Sequence, residues 1–148
     1  MPERFLPEPD PLERDVVLMV EDEWPNRALL KATLGRASVH RVREAILLEA
    51  TTLAEARAIL EARHIDLIVL DVRLPDGDGL HLARDLNDGE RRPRILVLSA
   101  SVLPAERTTA LDAGTDAFMA KPFVPADLVE TMAGLLDLGD AVRAAGRP

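Results

Sequence analysis

Apolar and polar positions follow two regimes along this chain. Five short runs, VVLMV (16–20), AILLEA (45–50), DLIVL (66–70), ILVL (95–98) and DAFMA (116–120), are apolar or β-branched almost without interruption. Runs of that length and composition predict strands. The stretches between them (24–35, 53–63, 79–88 and 104–113) and a last one at 125–137 carry helical period instead. In LAEARAILEAR (53–63), Leu53, Ala56 and Leu60 fall on one face, while Glu55 and Glu61 point away from it. Strand and helix alternating five times predict an α/β domain built on a parallel sheet. The runs at 66–70 and 95–98 fit central strands, covered on both faces. Only 36–44, RASVHRVRE, lacks a clean period; it reads either as a prolongation of the first helix or as a long loop. The domain is expected over residues 15–137. Residues 1–14, with four prolines in the first eleven positions, read as an extended tail. Residues 138–148 read as a helix end fraying into a second tail.

Composition narrows the class. The chain has 148 residues, enough for one domain, and 47% hydrophobic residues supply a core that 3% aromatics make aliphatic. A formal charge of −8 argues against nucleic acid and anionic membrane as partners. There is no cysteine, and neither end carries a long apolar run, so the reading is a soluble cytoplasmic-type domain with no membrane association. Of the 18 basic residues only Lys31 and Lys121 are lysine, the rest arginine.

The chemistry collects where the strands end. Glu21 and Asp22 follow the first run, Asp71 the third, Ser99 the fourth, and Lys121 with Pro122 the fifth. In an open parallel sheet these ends share one edge, where ligands bind. Three carboxylates there repel one another, and a hard cation such as Mg²⁺ resolves the conflict. Lys121 offers a compact charge for a carboxylate or a phosphoryl oxygen, and Ser99 a small donor hydroxyl. The set points to phosphoryl transfer, in which positioning and charge neutralisation carry the catalysis. Asp76 and Asp78, in PDGDG, read as turn residues, and His40, His64 and His81 as surface residues.

LMVEDE, LIVLDVRLPDGDGL, ILVLSAS and AGTDAFMAKPF resemble, in that order, the motifs of bacterial two-component response-regulator receiver domains, the CheY-like family. The resemblance implies a doubly wound (βα)5 flavodoxin-like three-layer sandwich whose five-stranded parallel sheet has the order 2-1-3-4-5. It implies that Asp71 is the phosphoacceptor, charged by the phosphohistidine of a sensor histidine kinase or histidine phosphotransfer protein. Asp22, Asp71 and the backbone carbonyl of Arg73 would ligate Mg²⁺, with Glu21 acting through water. Ser99 and Lys121 would hold the phosphoryl oxygens. Ser99 and Phe118 would form the switch, and the face built from residues 104–136 would be read by a downstream protein. The Lys121–Pro122 bond matches the family's cis peptide. The segment between Asp22 and Asp71 is longer than usual, and Glu21 replaces the commoner aspartate.

Two classes of function follow. The first is a phosphorylation-controlled binding module that catalyses only its own phosphotransfer and dephosphorylation. With ten residues after Leu138 it reads as a free-standing regulator without a DNA-binding output domain, or else as a phosphorelay intermediate or a receiver cut from a hybrid kinase or multidomain regulator. The second is an Mg²⁺-dependent aspartyl-phosphate phosphohydrolase. It is disfavoured because Arg73 stands where such enzymes carry a second aspartate, and no cap-sized insertion is present.

Overall fold

Strands form where the apolar runs lie, in a computed structural model that describes residues 14–87, 92–101 and 103–145. In chain order they are β1 (Val16–Val20), β2 (Ile46–Ala50), β3 (Leu67–Asp71), the two-residue strands β4 (Arg73–Leu74) and β5 (Gly77–Asp78), then β6 (Arg94–Ser99) and β7 (Ala117–Ala120). The long strands make one parallel sheet of order β2-β1-β3-β6-β7. That is the 2-1-3-4-5 order once the antiparallel β4–β5 hairpin, which no period announced, is set aside. Every residue of β1 is buried, as are those of β6 after Arg94, whereas β2 and β7 are only partly covered. The central strands are thus the most continuously apolar ones.

Helices α1 (Trp24–Gly35), α2 (His40–Arg43) and α6 (Pro125–Ala145) cover one face of the sheet. Helices α3 (Leu53–Ala62), α4 (Gly79–Asn87) and α5 (Pro104–Asp112) cover the other. The period-2 alternation of the strands divides the core accordingly. Leu18, Ile68, Ile95 and Val97 pack with Ala56, Leu82 and Ala110, while Met19, Val69 and Leu98 pack with Leu30, Leu128 and Met132.

Helix starts follow local chemistry. Thr52 caps α3 by accepting from the Glu55 amide at 3.1 Å. Pro25, Pro104 and Pro125 stand in the first turns of α1, α5 and α6, where no amide donor is needed.

Two boundaries differ from the sequence reading. The stretch 36–44 neither prolongs α1 nor forms a plain loop: it folds into the single turn α2, pinned by buried Val42 and by Arg41, whose Nε donates to Asp15 at 2.6 Å. The final helix does not end at 137 but runs to Ala145. Arg41 reaches Asp137 and Asp140 at 2.9 and 2.8 Å, and Gly139 is buried beside the Arg94 side chain. These long-range partners hold residues that composition alone assigned to a tail. The expected tail over 1–14 lies outside the described residues except for Arg14, as do residues 146–148.

Candidate functional site

Register brings the strand ends together. Val20 pairs with both Ala50 and Leu70, Asp71 with Leu98, and Ser99 with Ala120. Two hydrogen bonds continue the sheet past its strands: the Glu21 amide donates to Ala50 O at 3.0 Å, and the Lys121 amide to Ser99 O at 2.8 Å. Glu21, Asp71, Ser99 and Lys121 therefore stand on backbone that the sheet fixes, and Asp22 is one residue beyond it. The Lys121–Pro122 bond is cis.

Glu21, Asp22 and Asp71 each place a carboxylate oxygen within 4.8 Å of the other two. The Lys121 ammonium sits between two of these groups, at 3.1 Å from Glu21 Oε2 and 3.3 Å from Asp71 Oδ2. Glu21 is only 2% exposed, so its remaining oxygen needs partners. Oε1 accepts from Asn26 Nδ2 at 2.9 Å and from the Glu23 amide at 3.3 Å.

Two similar acids thereby acquire different acidities. Burial, reinforced by the neighbouring Glu21, pushes Asp71 up to about 6. Burial also opposes ionisation of Glu21, but the Asn26 amide, the neighbouring Asp71 and the Lys121 ammonium together outweigh it and hold Glu21 below the usual carboxylate range. Lys121 loses hydration, yet the two acids beside it keep its acidity below that of a free lysine.

Around this centre the expected residues take distinct places. Ser99 is buried at the end of β6, its hydroxyl accepting from the Ser101 amide at 3.2 Å. Arg73 turns its backbone to the site, the amide donating to Asp71 Oδ1 at 3.4 Å, while its side chain projects into solvent near Glu106. Phe118 is half-buried beside a groove of about 490 Å³ lined also by Leu74, Leu80, Glu106 and Thr109. The Arg107 guanidinium lies 5.8 Å from its ring centroid. Trp24, two residues past Asp22, is 69% exposed. His40, His64 and His81 are all exposed.

Several contributors had no sequence signal that pointed to the site. Asn26 donates to Glu21 Oε1. Arg27 donates to the carbonyl oxygens of Glu21 and Asp22 at 3.2 and 2.8 Å, fixing the loop that carries both acids. Gly79 packs against the backbone of Asp71 so closely that a Cβ would lie 2.3 Å from Asp71 O. Asp76, read as a turn residue, reaches back to the start of α3 and accepts from the Leu53 and Ala54 amides at 2.8 and 3.0 Å. Asp78 accepts from the Leu80 amide at 2.8 Å and so opens α4. The glycine-rich spacing around 76–79 marked these residues, but their partners could not be read from it.

The donor set fits a hard divalent cation. Three carboxylates converge without any imidazole or thiolate, the oxygen-only chemistry that suits Mg²⁺ rather than a softer metal.

Residues 17–133 match the response regulator receiver domain family. The chain belongs to that family. It is 42% identical over 109 residues to the KDP operon transcriptional regulatory protein KdpE of Escherichia coli, covering 72% of this chain and 44% of that protein. It is 39% identical over 114 residues to Protein PetR of Rhodobacter capsulatus, covering 76% of this chain and 45% of the other. This receiver domain thus spans about half the length of the curated relatives it matches. Among solved structures, a CheY-like response regulator receiver domain protein from Methanospirillum hungatei superposes with a TM-score of 0.76 at 23% identity, over 87% of this chain and 98% of that one. The signal receiver domain of an HD domain-containing protein from Pseudomonas fluorescens gives 0.79 at 18% identity, over 88% and 93%. These two likenesses establish the flavodoxin-like fold. Among the described residues no helix is long and apolar enough to cross a membrane.

Proposed function

We propose that this receiver domain is charged on Asp71 and that the charge changes what its α5–α6 face binds. Receiver domains interact with histidine kinases or histidine phosphotransfer proteins, and the donor we infer is a phosphohistidine on one of these. The observation that carries the reading is the Lys121 ammonium held between Glu21 and Asp71, in a cluster of three carboxylates at the C-terminal edge of the sheet.

Asp22, Asp71 and the Arg73 carbonyl would hold Mg²⁺, with Glu21 acting through bound water. When bound, the cation would neutralise charge on the phosphoryl oxygens. An Asp71 carboxylate oxygen attacks phosphorus, the phosphorus–nitrogen bond of the donor breaks, and the departing imidazole nitrogen takes up a proton. Lys121 would move from its carboxylate partners to a phosphoryl oxygen, and Ser99 would donate to another. Hydrolysis reverses the state: water attacks phosphorus, the aspartyl oxygen–phosphorus bond breaks, and the carboxylate and inorganic phosphate are released. The domain acts on no substrate but itself.

Ser99 and Phe118 would carry the change outward. Phe118 borders a groove with room for its ring, and Ser99 stands on the neighbouring strand, so a small movement of Ser99 can favour one ring position over another. The face over residues 104–136 then presents a different surface to a downstream protein.

Incubation with acetyl phosphate and MgCl₂, followed by intact-mass measurement, tests the reading. One phosphoryl adduct is expected in the wild-type chain and none in Asp71→Asn. An adduct that persists in Asp71→Asn, or none in the wild type, overturns it.

A further inference from the structure

The first turn of α1 contains a residue that the phosphoacceptor chemistry does not itself require. Asn26 is the third residue of α1, half-buried, with its amide nitrogen 2.9 Å from Glu21 Oε1 and 3.2 Å from Glu23 Oε2. Ionised carboxylates only accept hydrogen bonds, so the face that Asn26 turns to them must be its NH₂. Side chains at this helix position often return to the N-cap backbone. Here the N-cap Glu23 makes no side-chain cap bond, and Asn26 bridges two acids instead.

We infer that Asn26 is the positioning residue for the divalent-cation site, setting the direction of the Glu21 carboxylate. The inference rests on the receiver reading given above. Glu21 carries one methylene more than an aspartate would, and that freedom has to be removed if its carboxylate is to stand in one place. Its backbone is fixed by the bond to Ala50, and its two oxygens are divided. Oε1 is held by Asn26 and the Glu23 amide, which leaves Oε2 facing Lys121 and, through it, Asp71. The choice of amide over a basic side chain has a consequence for charge. A lysine or arginine at residue 26 would orient Glu21 equally well but would cancel a negative charge that attracts the cation. Asn26 orients the carboxylate and leaves the field intact.

Mg²⁺ affinity reads this role directly. Wild type, Asn26→Leu, Asn26→Gln and Asn26→Ala would each be titrated with MgCl₂ at fixed ionic strength, following the fluorescence of Trp24. The apparent Kd of Asn26→Leu is expected to rise about tenfold, the scale of one hydrogen bond to a charged group. Asn26→Gln, which keeps the donor, is expected to recover most of that loss. Asn26→Ala repeats the deletion without added bulk, should leucine disturb the helix start. In a Glu21→Asp background the shorter arm no longer meets residue 26, so Asn26→Leu is expected to lose most of its effect there. Unchanged Mg²⁺ affinity in both Asn26→Leu and Asn26→Ala, or the same loss with and without Glu21→Asp, overturns the inference. The phosphoryl adduct on wild-type Asp71 reports the receiver reading separately. An Asn26 variant with normal Mg²⁺ binding in a chain that still charges would sink this role alone.

Discussion

Asp71 and Glu21 show how little residue type decides acidity. Their carboxylates share one lysine, yet Asp71 is pushed up to about 6 by burial and by Glu21, whereas Glu21 is held down by Asn26, Asp71 and Lys121. In metal-free protein the raised Asp71 binds its proton more tightly folded than unfolded. That stability is complete below the ordinary aspartate range and is lost as pH rises through about 6. Asp71→Asn should therefore stabilise chelator-treated protein by about 1–2 kcal/mol near neutral pH. Urea titrations of both proteins should show that advantage shrinking towards zero near pH 4; an advantage independent of pH would contradict the cause given. Gly79→Ala acts on the same residue from behind, because a Cβ 2.3 Å from Asp71 O must displace backbone. A loss of about 3 kcal/mol is expected in the same assay, together with weakened Mg²⁺ binding. The residues that act at strand ends were legible because apolar runs announce where strands stop. Asn26, Gly79 and Asp76 were not, because each works through a partner that only the folded chain brings near.

At the scale of elements, the alternation of apolar runs and helical periods located the five long strands and their covering helices closely. The failures lie where tertiary partners override a weak local pattern. RASVHRVRE has no period because its one buried anchor is Val42, and its order comes from Arg41 gripping the start of β1 and the far part of α6. The last turns of α6 look like a tail in composition, but Arg143 reaches Asp66 at 3.5 Å as well as Asp140 beside it. Arg41→Ala is expected to destabilise the domain by about 1–2 kcal/mol, since the Asp15 pair is bidentate and largely shielded while the α6 pairs are open to solvent. Amide hydrogen exchange should show the loss first in α2 and in residues 137–145. Arg41 holds the Asp140 carboxyl below its usual range, so that part of the stabilisation is present at neutral pH and is lost as pH falls into the carboxylate range.

For the whole molecule, the formal charge of −8 matters less than the three acids placed together at one edge. Mg²⁺ that binds the folded chain alone must raise its melting temperature, by the equivalent of about 2.7 kcal/mol at a hundredfold excess over Kd. Asp22→Ala should remove most of that rise in a thermal scan with and without MgCl₂, whereas Lys31→Ala, on the exposed face of α1, should keep it. The fold class was legible because the central strands of the sheet are buried on both sides and so carry apolar residues almost without a break. That same property divides the interior. By the alternation along their strands, Asp71 belongs with Leu67 and Val69 on the side of α1, α2 and α6, while Ser99 belongs with Ile95 and Val97 on the side of α3, α4 and α5, where Phe118 also packs. The sheet is a bulkhead between two apolar compartments that meet only along its rim. Substitutions confined to one compartment meet only its own helices and one side of the sheet, so the surfaces on the two sides can diverge separately around a shared rim.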